Sequence, residues 1–354
     1  AAHGRKTIGI TGTNGKSTTT ALIGHILQAC GLKTVIGGNI GKAALGLVLP
    51  PEDGVIVLEI SSFQADLCQE YAPDISVHLN LSPDHMDRHG NMENYAESKM
   101  RIFRGPGKAV IGCDDEWSVK MYDIIEKNGE RECFPISSKA EKKDGVYVDN
   151  GFLYEAMFGD PVEVSELTIS TLPGVHNHQN AAAAYATARL MGLDPDSIIE
   201  AMRTFPGLNH RQYLVRTING VAYINDSKAT NAAAAARALE SYNNIYWILG
   251  GQPKEGGLSG LEPYVSRIKH AFLVGEAMDE FGSWLDNHGV SHDFCAVLEK
   301  AVAEAHSLAQ SERGQPGGTG TVLLSPACAS YDQYKSFEER GEAFLNYVNE
   351  LKDE

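Results

Sequence analysis

One stretch near the start of the chain has the composition of a phosphate cradle: Ile10-Thr11-Gly12-Thr13-Asn14-Gly15-Lys16-Ser17-Thr18. Gly12 and Gly15 let backbone N–H groups close on phosphate oxygens, Lys16 neutralises their charge, and the Ser17 hydroxyl can ligate Mg²⁺. The segment departs from the full eight-residue phosphate-loop pattern, which needs a glycine where Ile10 stands. A solvated turn with a surface lysine is the plain alternative. A strand before the segment and a helix after it argue for phosphate, because they place the loop at a helix N-terminus.

Stepping outward, Lys6 to Ile10 is a short β-branched run, and Ser17 to Cys30 is a helix closed by Gly31. Apolar runs at Val55–Ile60, Ile75–Leu81 and Ala109–Ile111 alternate with helix-like stretches such as Met92–Phe103, which predicts a mostly parallel sheet. Arg131–Ser170 is rich in turn residues and reads as a small antiparallel appendage at that sheet's edge. An alanine-rich helix, Asn177–Met191, follows it. Phe205-Pro206-Gly207-Leu208 then breaks the pattern, and Asn219-Gly220 has the composition of a tight hairpin turn between strands Leu214–Ile218 and Val221–Asn225. Beyond it, strands Ile245–Leu249, Ala271–Val274 and Val322–Ser325 alternate with helices Ala232–Leu239, Met278–Asn287, Ala301–Leu308 and Phe337–Leu351. The prediction is two α/β domains, residues 1–208 and 209–354.

The 354 residues are 43% hydrophobic and 21% charged, enough for two cores. A net charge of −16 repels nucleic acids and anionic membranes, so a phosphate ligand must be held by a few local cations. Cys30, Cys68, Cys113, Cys133, Cys295 and Cys328 are scattered without a C-x-x-C pair, against a zinc ribbon or disulfide framework. No leader opens the chain and no apolar run approaches the ~20 residues of a membrane helix, so the expected home is the cytoplasm, without nucleic-acid or membrane partners.

The shortened loop Thr11–Ser17 resembles that of the Mur ligases and the related folylpolyglutamate synthases. Four further segments match in the family's order: Gly37-Gly38-Asn39-Ile40-Gly41, Leu58-Glu59-Ile60-Ser61-Ser62-Phe63-Gln64, Asp84-His85-Met86-Asp87-Arg88-His89, and Gly174-Val175-His176-Asn177 with Asn180. In the second domain, Tyr223 to Asn231, Leu249-Gly250-Gly251 with Lys254, and Leu324 to Gln333 resemble the family's D-glutamate-adding branch. The resemblance implies a P-loop-type, mostly parallel ATP-binding domain followed by a Rossmann-like α/β domain that binds D-glutamate and closes on ATP. It also assigns roles. Ser17 and Glu59 hold Mg²⁺ at the ATP phosphates; His85 and Lys99 serve a second Mg²⁺, with Lys99 carbamylated by CO₂; and Lys16, Glu59, His85 and Lys99 form the catalytic set. Gly12 to Thr18 cradle the phosphates, Asn177 and Asn180 read adenine, Asp226 takes the ribose hydroxyls, and Arg211 and Lys228 add cations. Asn39, Ser61, Thr230, Lys254, Ser330, Tyr331 and Phe337 are expected at the other substrates.

Each role has an ordinary alternative. Glu59 could cap the next turn, His85 could be a satisfied polar residue, and Lys99 could be an exposed helix lysine. Asn177 and Asn180 could be helix caps, Arg211 and Lys228 a surface ion-pair network, and the D-glutamate pocket a generic anion site. One departure concerns Arg211: where the family usually has a Glu two residues on, this chain has Tyr213. The family also places a uridine-diphosphate-holding domain ahead of residue 1, and without it this chain is expected to bind ATP but ligate poorly. The implied activity is an ADP-forming ligase of peptidoglycan precursor synthesis. The carboxylate of UDP-N-acetylmuramoyl-L-alanine is phosphorylated by ATP, and D-glutamate attacks the acyl phosphate, in a monomeric enzyme. Another ligase of the superfamily, such as a folylpolyglutamate synthase, or a nucleotide-binding module without ligase activity are the competing expectations.

Overall fold

In the computed structural model, residues 4–68, 70–169, 171–172, 174–314 and 319–352 are described. The chain divides into two compact units, Ala1–Pro206 and Gly207–Glu354. In the first, runs of β-branched and aromatic residues become β1 (Lys6–Thr11), β2 (Thr34–Gly38), β3 (Val55–Glu59), β4 (Ile75–His78), β5 (Gly107–Gly112), β6 (Arg131–Ser137), β7 (Val146–Asp149), β8 (Phe152–Glu155) and β9 (Val162–Glu166). Its helices are α1 (Lys16–Ala29), α2 (Ser62–Leu67), α3 (Met86–His89), α4 (Met92–Met100), α5 (Glu116–Asn128), α6 (His176–Leu190) and α7 (Pro195–Arg203).

These strands make one sheet in the order β2-β3-β1-β4-β5-β6-β7-β8-β9. Pairs from β2 to β7 are parallel, and only β7–β8 and β8–β9 are antiparallel. The expected antiparallel appendage at the sheet's edge holds for β7–β9 and is corrected for β6: Arg131–Ser137 pairs parallel with β5 and β7, with Phe134 and Ile136 in the main core. Turn residues fix the local hairpins β7–β8–β9, but burial decides which strand β6 joins. α1 covers this face with Leu22, Ile23, Ile26 and Leu27, while α6 packs beside it through Ala181 to Ala184, whose small side chains let the helix lie close. From β1 the chain goes first to one side, to the edge strand β2 and back to β3, and then to the other side, to β4. That reversal puts a ligand crevice beyond the carboxyl end of β1, where the phosphate loop begins.

The second unit contains β10 (Tyr213–Ile218), β11 (Val221–Asn225), α8 (Ala232–Ser241), β12 (Ile245–Gly250), β13 (Ile268–Val274), α9 (Met278–Asn287), β14 (His292–Ala296), α10 (Leu298–Ser311), β15 (Thr321–Leu324) and α11 (Phe337–Glu350). Its sheet order is β10-β11-β15-β12-β13-β14, antiparallel only at β10–β11. Asn219 and Gly220 take φ of 50° and 87°, the two left-handed positions a tight hairpin requires. The carboxyl ends of β11, β15 and β12 lie side by side, so the segments beginning at Asp226, Ser325 and Gly251 emerge together. No described helix is long and apolar enough to cross a membrane, and all six cysteines are free thiols.

Candidate active site

The loop after β1 is tied to the end of β4. Thr13 N–H donates to Asn80 O at 2.9 Å, Asn14 N–H donates to Asn80 Oδ1 at 2.9 Å, and Ser82 N–H donates to Thr13 Oγ1 at 3.1 Å. Gly15 ends the loop with φ 83°, and a Cβ there would lie 2.1 Å from Asn180 Oδ1, so only glycine fits. Lys16 Nζ folds back over the loop, donating to Gly12 O at 2.9 Å and Thr13 O at 2.8 Å. Ser17 and Thr18 are buried in the first turn of α1.

Glu59 ends β3, in register with Ile10 of β1, and is 2% exposed. Its Oε1 accepts from Asn39 Nδ2 at 3.0 Å, whereas its buried Oε2 has no hydrogen-bond partner. A bare carboxylate oxygen inside a protein is costly, and a hard divalent cation is the partner it suits. The turn-capping alternative for Glu59 is excluded, since α2 is capped by Ser61. Gln64 N–H donates to Ser61 Oγ at 3.2 Å and Ser61 N–H to Gln64 Oε1 at 3.0 Å. Among the described residues no three His, Cys, Asp or Glu side chains converge as a metal cage.

Lys99 is not an exposed helix lysine. It is 1% exposed, its Nζ donates to Gly12 O at 2.8 Å, and it lies 4.6 Å from the centre of the Tyr95 ring. Burial, and then the charge of Lys16, hold its pKa well below the usual lysine range, against the opposing pull of Asp84 and Glu59. His85, by contrast, sits exposed in a left-handed conformation (φ 55°), 3.4 Å from Asp84 Oδ2 and edge-on to Phe63.

Asn177 and Asn180 are not caps, because α6 starts behind Val175 with no side-chain capping bond. Both are buried. Asn180 Oδ1 accepts from Thr19 Oγ1 at 3.2 Å, and its Nδ2 donates to Asn177 Oδ1 at 2.9 Å. Asn177 also borders a cleft of about 320 Å³ walled by Leu167, Ile169, Leu172 and Ala181. An apolar slot with an amide on its wall suits a flat heterocycle.

In the second unit, Asp226 is buried at the end of β11, where its Oδ2 accepts from Ser325 Oγ at 2.8 Å and its Oδ1 from Gln212 N–H at 3.1 Å. Burial pushes its carboxyl up to about 7, opposed by these bonds and by the charge of Arg211. Lys228 Nζ lies 5.6 Å from the centre of the Phe337 ring, and Thr230 N–H donates to Lys228 O at 2.9 Å. Gln252 N–H donates to Ala329 O at 2.9 Å, joining the loop of exposed Lys254 to that of buried Ser330. Tyr331, next to Ser330 in the chain, is 69% exposed.

Sequence reasoning missed Arg340, which is 2% exposed in α11. Its guanidinium donates to Ser227 Oγ (3.0 Å), Ser227 O (2.9 Å), Cys328 O (3.1 Å) and Ala329 O (3.3 Å), clamping the loops after β11 and β15. Following Glu338 and Glu339, it looks in sequence like a surface ion-pairing arginine. Only its i+3 spacing from Phe337, on one helix face, hints at the interior.

The Mur ligase middle domain family matches residues 10–188. UDP-N-acetylmuramoylalanine–D-glutamate ligase of Rhodospirillum rubrum is 49% identical over 97% of this chain and 72% of its own length. The enzyme of that name from Caulobacter vibrioides is 48% identical over 99% of this chain and 74% of its own length. Among solved structures, the UDP-N-acetylmuramate–alanine ligase of Thermotoga maritima superposes with a TM-score of 0.70 at 18% identity, over 98% of this chain and 76% of that one. The folylpolyglutamate synthase of Mycobacterium tuberculosis, solved with ADP and AMPPCP, gives 0.66 at 13% identity, over 99% and 93%. At such identities these structures attest the fold, and the near-half identity along almost the whole chain attests the kinship: the chain belongs to the Mur ligase family.

Proposed function

We propose that this chain catalyses the ATP-dependent joining of D-glutamate to UDP-N-acetylmuramoyl-L-alanine in peptidoglycan precursor synthesis, as a monomer in the cytoplasm. The observation that carries the reading is Glu59: a buried carboxylate with one oxygen unclaimed, on the strand paired to the one that delivers the phosphate loop. Support for the substrates comes from the relatives of that name.

In this reading Gly12 to Thr18 seat the ATP phosphates and Lys16 neutralises them. Ser17 and Glu59 hold Mg²⁺, which when bound draws charge from the phosphate oxygens. The acceptor carboxylate, near Asn39 and Ser61, attacks the γ-phosphorus as the bond to ADP breaks. The D-glutamate amine then attacks the resulting acyl carbon, phosphate leaves with the bonding electrons, and the amine sheds a proton. Thr230, Lys254, Ser330, Tyr331 and Phe337 take the amino acid, Lys254 countering its carboxylate charge. Asn177 and Asn180 serve adenine, Asp226 the ribose, and Arg211 and Lys228 add cations. Lys99, whose amine burial keeps readily deprotonated, bonds through nitrogen to CO₂ and releases a proton; with His85 the carbamate offers oxygen and nitrogen ligands to a second Mg²⁺.

The test is ADP release with ATP, Mg²⁺, the UDP-sugar-alanine and D-glutamate. Release that requires D-glutamate, and that L-glutamate or diaminopimelate does not elicit, is expected. Release independent of the amino acid would overturn the proposal.

A further inference from the structure

From Asn14 of the phosphate loop, Asn80, Gln179 and Asp114, to which the proposed reaction gives no role, form a directed chain. Asn14 N–H donates to Asn80 Oδ1 at 2.9 Å, Asn80 Nδ2 donates to Gln179 Oε1 at 2.9 Å, and Gln179 Nε2 donates to Asp114 Oδ2 at 3.0 Å. Asp114 is itself fixed by Ser137 Oγ at 2.5 Å and by Ser138 N–H and Oγ, each at 2.9 Å. A carboxylate only accepts, so Gln179 must turn its NH₂ to Asp114 and its carbonyl to Asn80. Asn80 must then turn its NH₂ to Gln179, which leaves its carbonyl for the Asn14 N–H. The charge at the far end sets the direction of Gln179, and Asn80, which also donates through Nδ2 to Asn14 O at 3.3 Å, is oriented from both sides.

The chain is buried at its centre, between half-buried Asn80 and Asp114. Gln179 is 6% exposed. Gly112 clears its path, because a Cβ there would stand 3.0 Å from Gln179 Nε2 and 1.8 Å from Leu79 O. Gln179 also lies on α6 between Asn177 and Asn180, so the helix that carries those asparagines reaches the phosphate loop through it as well.

We propose that Gln179 is a positioning residue for the nucleotide phosphates: through Asn80 it fixes the backbone of Asn14, and it sets the separation between the phosphate loop and the asparagines of α6. The inference rests on the nucleotide reading of the loop. It does not depend on which acceptor is ligated.

The test compares Mg-ATP and adenosine affinities by calorimetry for the unaltered chain, Gln179→Leu and Gln179→Glu, from pH 6 to 9. Gln179→Leu removes both bonds and should weaken ATP about tenfold at every pH, with adenosine unchanged. Gln179→Glu is the more telling variant. A glutamic acid buried against Asp114 has a raised pKa, and while protonated it can still donate to Asp114 and accept from Asn80. Relative to the unaltered chain at each pH, it should bind ATP within twofold at pH 6 and fall toward the tenfold loss by pH 9. Because that comparison is made within one folded protein, it stands even if Gln179→Leu does not fold. Unaltered ATP affinity in both variants overturns the inference, and so does a loss in Gln179→Glu that is the same at every pH. An unaltered chain that binds no Mg-ATP removes the nucleotide reading itself.

Discussion

At the residue scale, two charged groups carry the proposed nucleotide chemistry, and each gives a test. Lys16→Ala should weaken ATP by about tenfold or more, because a charge-assisted contact contributes about 1.5–3 kcal/mol; calorimetry showing equal affinity would remove Lys16 from the site. Glu59→Gln has two opposed effects. Removing a buried carboxylate charge should raise the stability of the ligand-free protein by about 1 kcal/mol, while the added stability conferred by Mg-ATP should shrink. Thermal melts with and without Mg-ATP read both, and an unchanged Mg-ATP increment would contradict the metal role. Asp226 adds a pH signature. Its folded pKa of about 7 lies above the unfolded value of ~3.9, so its contribution is full below about pH 4 and is lost as pH rises through 7. Denaturant unfolding of the second unit should therefore weaken between pH 5 and pH 8 by about 2 kcal/mol more in the unaltered chain than in Asp226→Asn. Lys16 and Glu59 were legible because their types and positions speak locally. Arg340 and Gln179 were not, since an arginine after two glutamates and a glutamine in a helix look like solvent-facing residues, and their partners lie far away in the chain.

Elements are where local signals succeed and pairing defeats them. The β1–loop–α1 join depends on Gly15. Gly15→Ala should cost about 1–3 kcal/mol, from the left-handed backbone plus the collision with Asn180, seen as a lower midpoint for the first unit in thermal denaturation. A midpoint within experimental error of the unaltered chain would mean that α6 gives way freely. Met278–Asn287 was read to the residue and the Asn219-Gly220 hairpin was anticipated, because periodicity and turn chemistry are written locally. Local signals put β6 in an antiparallel appendage and give no sign of the edge strand β14. His292 to Ala296 carries two polar residues and little apolar alternation, and nothing local reveals that β13 will receive it.

For the whole molecule, each unit has its own core, the first built around β1 with α1 and α6 and the second around β12 and β15. Residues 207–354 expressed alone should therefore fold cooperatively, with native-like circular dichroism and a single unfolding transition. A broad, non-cooperative melt would show that its core needs the first unit. The same division carries a consequence in time. Each unit is one uninterrupted stretch of chain, and among the described residues no strand of the first sheet comes from beyond Pro206. At synthesis rates of about 5–20 residues per second, roughly ten seconds or more pass while the second unit is made. Once residue 206 has cleared the ribosome, every strand and glycine that shapes the phosphate loop is already available. The first unit can thus settle its sheet during translation, before the second, equally apolar set of strands emerges to compete for its edges.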